Sequence, residues 1–326
     1  MSDLLNNYTL DFERPIKDLE TQIEELKQVS DSNKSVDINL EILALQKKVN
    51  SLLDEIYENL NPWDRVQLSR HPMRPHTIEY LKNVIEDFHE VRGDRRFAND
   101  SAMITGFGKI EGQRVCVIGI EKGRKTKEKI NHNFGMPRPE GYRKALRVMQ
   151  MAGRFGIPIV TFVDTPGAYP GIGAEERGQA SAIAENLAEM FDIKTPIIAC
   201  VIGEGGSGGA LGIAIADCVL MMEYSIYSVI SPESCASILW ADPKMADVAA
   251  NSLQLSPEKA LELKVVDGII KEPTGGAQKD PKMAYDNVKK AILKEVQKLS
   301  KLKSEKLLEN RFSKFREMGN LTITGQ

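Results

Sequence analysis

Apolar residues follow two spacings along this chain, and the change from one to the other divides it. Over residues 13–60 the spacing is helical. Ile16, Leu19, Ile23 and Leu26 recur at intervals of three and four, and after a polar break at 30–35 so do Ile38, Ile42, Leu45, Val49, Leu52 and Ile56. That pattern predicts a helical hairpin with a coiled-coil-like seam, folded onto its own body or docked against a partner chain. From 61 to 280 the pattern shifts to short β-branched runs at 114–120, 158–163, 196–202, 218–222 and 227–230. Helical stretches at 141–155, 175–190, 245–250 and 257–263 lie among them, so the expected class is α/β. Residues 281–326 return to helix on Val288, Ala291, Ile292, Val296, Leu299, Leu308, Phe312 and Phe315, with a solvated Lys-rich face. The expected organisation is therefore 1–60, 61–280 and 281–326.

Composition narrows the class. A chain of 326 residues with 42% hydrophobic and 27% charged residues has ordinary globular usage. Its net charge of −3 argues against a nucleic-acid partner, and no apolar run is long enough for a membrane span. The N-terminus lacks the basic-then-apolar pattern of a secretory signal. Cys116, Cys200, Cys218 and Cys235 are scattered, without CxxC, as expected of reduced thiols in a cytoplasmic protein. No His/Cys pair has zinc spacing, so no metal is expected on this chain.

Candidate chemistry gathers after the buried runs. Residues 203–212 read Gly-Glu-Gly-Gly-Ser-Gly-Gly-Ala-Leu-Gly, directly after the run at 196–202. A strand, a glycine turn and a helix starting near Ala210 would present free backbone N–H groups, able to bind an anion or hold charge developing on an oxygen. The spelling also fits a dinucleotide fingerprint (Gly203, Gly205, Gly208), with Glu223 twenty residues on. However, about eight residues before the next strand are too few for the crossover. Gly205-x-Ser207-x-Gly209 fits a nucleophile elbow, but His71, His76, His89 and His132 all precede the serine. An amide-built site or a packing turn remains. A second loop, Asp164-Thr-Pro-Gly-Ala-Tyr-Pro-Gly171, follows the run at 158–163, and Glu175 and Glu176 behind it suit first-turn capping or acid–base work. A third, Lys122-Gly-Arg-Lys-Thr-Lys-Glu-Lys129, is either a phosphate-binding loop or a solvated one.

At these residues the chain resembles one family, the alpha subunits of bacterial-type acetyl-coenzyme A carboxylase carboxyltransferases. The matching segments are Asn61-Pro-Trp-Asp-Arg65, Asn133-Phe-Gly-Met-Pro137, Glu140-Gly-Tyr-Arg-Lys-Ala-Leu146, the loop at 164–171 with Ala174-Glu-Glu-Arg-Gly-Gln179, the glycine segment, and Tyr227-Ser-Val-Ile-Ser-Pro-Glu233. The resemblance spans about residues 10–318. Ser234-Cys235 stands where the family often has Gly-Ala or Gly-Cys.

The resemblance implies a crotonase-type spiral of ββα units and an enzyme active only with a beta subunit, in an α2β2 assembly. Its substrates would be carboxybiotin on a biotin carboxyl carrier protein, charged by biotin carboxylase in an ATP-dependent complex, and acetyl-coenzyme A. The product would be malonyl-coenzyme A, the first committed step of fatty acid synthesis, with zinc on the beta subunit only. It assigns the biotin oxyanion hole to Gly209 and Ala210, shaped or shared by Gly205 and Gly206. Gly167 and Ala168 would line the biotin pocket, and Lys122 and Arg124 would contact coenzyme A or the carboxylate. Another crotonase-type acyl-coenzyme A enzyme, or a non-enzymatic scaffold subunit, stays open at this level.

Overall fold

Among the described residues, eight strands in a single sheet place every loop that carries candidate chemistry. The structure, a computed structural model, describes residues 8–32 and 39–319. Ile38, part of the polar break and both chain ends lie outside the described residues. Helices α1 (Arg14–Ser32) and α2 (Asn39–Glu58) form the N-terminal hairpin, followed by α3 (Pro62–Ser69) and α4 (Thr77–Val84). Strands β1 (Glu86–Glu90), β2 (Met103–Ile110) and β3 (Gln113–Ile120) follow as an antiparallel meander. Next come α5 (Thr126–Asn131), α6 (Pro139–Arg154), β4 (Ile159–Thr165), α7 (Ile172–Glu176), α8 (Gln179–Asp192) and β5 (Ile197–Gly206). The chain continues through α9 (Ser207–Leu211), β6 (Cys218–Met222), β7 (Ile226–Ser228), α10 (Pro232–Trp240), α11 (Ala246–Leu253) and α12 (Pro257–Glu262). Strand β8 (Gly268–Ile270), α13 (Pro281–Leu299) and α14 (Ser304–Glu317) complete it.

The sheet order is β1-β2-β3-β4-β5-β6-β8, with β7 paired to β5, and all pairings from β3 onward are parallel. Alternation assigns the faces. Ile159 and Val163, with Ile197, Ala199 and Val201, pack under α6 and α8. Val160 and Phe162, with Ile198, Cys200 and Ile202, pack under α4 and α13. Burial on both faces is what turns these strands into near-continuous apolar runs. The C-terminal helices are part of this body, since Val288, Ile292, Val296, Leu299 and Leu307 complete its second core.

Several elements differ from expectation. The strand foreseen at 196–202 runs on to Gly206. The helix expected near 210–216 begins at Ser207 and ends at Leu211, too short for a dinucleotide crossover. The helix expected over 175–190 is broken by Gly178 in the left-handed region (φ 80°), giving α7 and α8. Hairpin residues Ile16, Leu19, Ile23, Ile42, Leu45, Val49, Leu52 and Ile56 pack against one another, so the seam is occupied within the hairpin. Leu40 and Leu43 remain exposed. All four cysteines are buried and free. Among the described residues no helix is long and apolar enough to cross a membrane.

Candidate active site

The carboxyl ends of β3, β4 and β5 lie side by side, so the three candidate loops meet at one end of the sheet. Strand β5 changes neighbours there. Ile198–Val201 pair with β6, whereas Glu204–Gly206 pair with β7. Gly205 is flanked by Thr165 on one edge and Tyr227 on the other. Gly205 and Gly206 are therefore extended strand, whereas the sequence reading put the turn at them. They are glycines for want of space. A Cβ at Gly205 would stand 2.6 Å from the Tyr227 ring, and one at Gly206 would stand 2.3 Å from the Pro166 carbonyl oxygen.

The turn itself falls at Ser207 (φ 52°), which starts α9. The first-turn amides of a helix have no acceptor within it. Among the described residues those of Gly209 and Ala210 also donate to no loop carbonyl or side chain. Across from them lies the loop after β4. A Cβ at Gly209 would stand 2.4 Å from the carbonyl carbon of Gly167 and 2.5 Å from the Ala168 nitrogen. Gly209 is thus brought against Gly167 and Ala168, backbone against backbone, with Ala210 next to it in α9. The Thr165 hydroxyl pins the loop by donating to the Gly167 carbonyl at 2.7 Å and accepting from its N–H at 3.0 Å. Tyr142 of α6 donates to the Gly209 carbonyl at 3.2 Å, and Asn186 of α8 donates to that of Gly212 at 2.8 Å, fixing α9 from below.

Lys122 and Arg124, the two cations expected to meet substrate, both form ion pairs within the fold. The Lys122 ammonium is nearly buried and pairs with Asp164 at 2.7 Å and Glu204 at 2.6 Å. The Arg124 guanidinium binds Glu79 at 2.6 Å and the carbonyls of Pro72 and Arg74. Lys122 is held as the counter-charge of two buried carboxylates, and Arg124 pairs with the half-buried Glu79. Lys125, Lys127 and Lys129 of the same run form no ion pair among the described residues. Lys129 lines a cavity of about 210 Å³ at the strand ends, together with Arg70, His76, Lys122, Phe134 and Pro166. Glu175 and Glu176 are exposed on α7, Glu175 as its first-turn acid and Glu176 as its last residue. His132 bonds the Ser101 carbonyl, away from the turn.

Burial alone would raise the Glu204 carboxyl, but Lys122 and Arg70 outweigh it and bring it down to about 2. Burial alone would lower the Lys122 ammonium, and Asp164 and Glu204 turn that shift upward. The arrangement thus presents two amides at a helix start, with the exposed Ser207 hydroxyl at the turn before them. It can hold negative charge on an oxygen. Sequence reasoning missed Asp164 and Glu204. The available signal was Glu204 itself, an acid inside a buried strand, which needs a cation partner. Among the described residues no cluster of His, Cys, Asp or Glu could hold a metal ion.

A family described as acetyl co-enzyme A carboxylase carboxyltransferase-like matches residues 9–319. A relative from Geobacter metallireducens, named acetyl-coenzyme A carboxylase carboxyl transferase subunit alpha, is 52% identical over 315 residues, 97% of this chain and 98% of its own. One of the same name from Wigglesworthia glossinidia brevipalpis is 51% identical over 315 residues, 97% of this chain and 99% of its own. Among solved structures, transcarboxylase 12S superposes with a TM-score of 0.54 at 19% identity over 67% of this chain, which spans only 41% of that one. The beta subunit of P. aeruginosa geranyl-CoA carboxylase gives 0.52 at 16% identity over 73% of this chain and 45% of its own. These two likenesses show a shared crotonase-type fold. By sequence, the chain belongs to the family of acetyl-coenzyme A carboxylase carboxyltransferase alpha subunits.

Proposed function

We propose that this chain supplies the biotin half of a carboxyltransferase that moves a carboxyl group from carboxybiotin to acetyl-coenzyme A, giving malonyl-coenzyme A. The observations that support the site assignment are that the Gly209 and Ala210 amides donate to no loop carbonyl or side chain among the described residues, and that Gly209 packs against the Gly167–Ala168 backbone. When carboxybiotin releases carbon dioxide, negative charge appears on the ureido oxygen. Two fixed N–H donors stabilise it without reorganisation. The biotin enolate then takes a proton from the acetyl methyl group, and the carbanion attacks the carbon dioxide. This route needs no histidine or serine from this chain. Gly167 and Ala168 form the facing wall. Gly205 and Gly206 hold the turn in register and are not themselves donors. Lys129, rather than Lys122 or Arg124, is the cation of the basic run placed to meet a coenzyme A phosphate.

Charge also develops on the thioester oxygen, so a second donor pair is required, and we assign it to a beta subunit in an α2β2 complex. That partner would carry the zinc. The biotin carboxyl carrier protein and biotin carboxylase would supply carboxybiotin, in the cytoplasm, at the entry to fatty acid synthesis. The N-terminal hairpin would dock the complex through its outer face, where Leu40 and Leu43 are exposed. The test is reconstitution. This chain, a beta subunit and carboxybiotin should form malonyl-coenzyme A, and either subunit alone should not. Product formed by this chain alone would refute the shared site.

A further inference from the structure

The end of β5 is irregular. Val163 of β4 pairs with Val201 and Thr165 pairs with Gly205, so Asp164 alone stands opposite the three residues 202–204. Such a bulge leaves backbone groups without ladder partners, and they must be satisfied by something else. Side chains do so here. Asp164 Oδ1 accepts the Glu204 N–H at 3.0 Å, and Arg74 Nε donates to the Ile202 carbonyl at 2.8 Å. Gly203 makes room, since a Cβ there would lie 2.5 Å from Asp164 Oδ1. Lys122, two residues beyond β3, joins Asp164 to the Glu204 carboxylate. Arg70, the residue that follows α3, holds the other Glu204 oxygen and reaches Glu233 in the first turn of α10. The bulge is therefore held from β4, from the segments that follow β3 and α3, and through Arg70 from α10, three residues before the turn at Ser207.

We propose that Lys122 is a positioning residue: by bridging Asp164 and Glu204 it fixes the bulge that aims the Gly209–Ala210 amides at the Gly167–Ala168 loop. The inference rests on the amide-built site proposed above. Without the ammonium, two buried carboxylates would face each other on adjacent strand ends, and their repulsion would open the spacing that Lys122 now sets. Asp164 would also lose the partner that keeps it aligned on the Glu204 amide. Displacing a reacting geometry by about 1 Å can lower turnover on the order of 100-fold. An effect of this kind falls on kcat, because two of the three Lys122 donors are committed to Asp164 and Glu204 and act on the backbone through them.

Two readouts test this with the full-length chain. Hydrogen exchange needs no activity: in Lys122→Met the amides of residues 203–210 should exchange faster, with α6 and α13 unchanged. In the reconstituted complex the same variant should lose kcat about 100-fold while KM for acetyl-coenzyme A stays within about twofold. The double variant Lys122→Met/Glu204→Gln removes the facing charges and should recover about a tenth or more of the wild-type kcat. If Lys122→Met does not fold, Asp164→Asn carries the test. It keeps an acceptor for the Glu204 amide, loses the charge, and should lower kcat with KM unchanged. Unaltered exchange and kcat, or a raised KM at normal kcat, would overturn the proposal; the latter would make Lys122 a coenzyme contact. A complex inactive even with the wild-type chain would refute the functional reading, while the exchange result would still decide the positioning role.

Discussion

One added methyl group distinguishes Gly209 from its neighbour Gly208. In Gly209→Ala the new Cβ would stand 2.4 Å from the Gly167 carbonyl carbon. Carbon atoms rest at about 3.5 Å or more, so the two loops must part by about 1 Å. The contact is backbone on both sides, and no flexible side chain can absorb it. A shift of that size predicts a loss of turnover on the order of 100-fold and overpacking of about 1–3 kcal/mol. In Gly208→Ala, one residue earlier, the Cβ meets only Ile183, at 3.9 Å. That is ordinary contact in a helical position, so the variant should gain about 0.5 kcal/mol. The assay is steady-state carboxyl transfer by the reconstituted complex, with urea denaturation of each variant chain. The expected result is a folded but nearly inactive Gly209→Ala and an active, slightly stabilised Gly208→Ala. Near-wild-type turnover by Gly209→Ala, or equal damage from both, would refute the steric argument and the amide site with it.

Other expectations follow from single interactions. Ser207→Ala should keep turnover within about threefold, because the hydroxyl is exposed and has no hydrogen bond among the described residues; an inactive, folded variant would reopen a serine mechanism. Arg311 is fully buried and binds Asp217 and the carbonyls of Met190, Ile193 and Thr195, so Arg311→Met should lower stability by about 3–5 kcal/mol in chemical denaturation. The Glu204 carboxyl lies near 2 in the fold against 4.5 unperturbed, so its stabilisation is complete above about pH 5 and lost as pH falls toward 2. Accordingly, Glu204→Gln should be less stable than wild type at pH 7, by up to about 3 kcal/mol, and the gap should narrow at pH 3. Lys129→Gln should raise KM for acetyl-coenzyme A about fivefold with kcat unchanged, as measured by initial rates, the scale of one exposed charge contact.

The parallel core was legible because strands buried on both faces keep long β-branched runs, as at 158–163 and 196–202. The outer strands were not. Glu86–Glu90 is mostly exposed and carries three acids in five residues, while Gly268–Ile270 is too short to show a period. The glycine segment announced a close backbone approach, yet spacing alone could not separate strand from turn. Gly205 and Gly206 are set by Tyr227 and Pro166, which are distant in sequence. The same limit explains Lys122. A run of lysines reads as a solvated or ligand-binding loop until the fold brings Asp164 and Glu204, 42 and 82 residues on, against one of them.

The central claim is that backbone amides of this chain hold the biotin oxygen. A crystal structure of the complex of this chain with a beta subunit and a biotin analogue measures it directly. The ureido oxygen should lie about 2.7–3.1 Å from the nitrogens of both Gly209 and Ala210, with Gly167 and Ala168 against the opposite face of the ring. A ureido oxygen held instead by a side chain, or seated more than about 4 Å from both amides, would contradict the account.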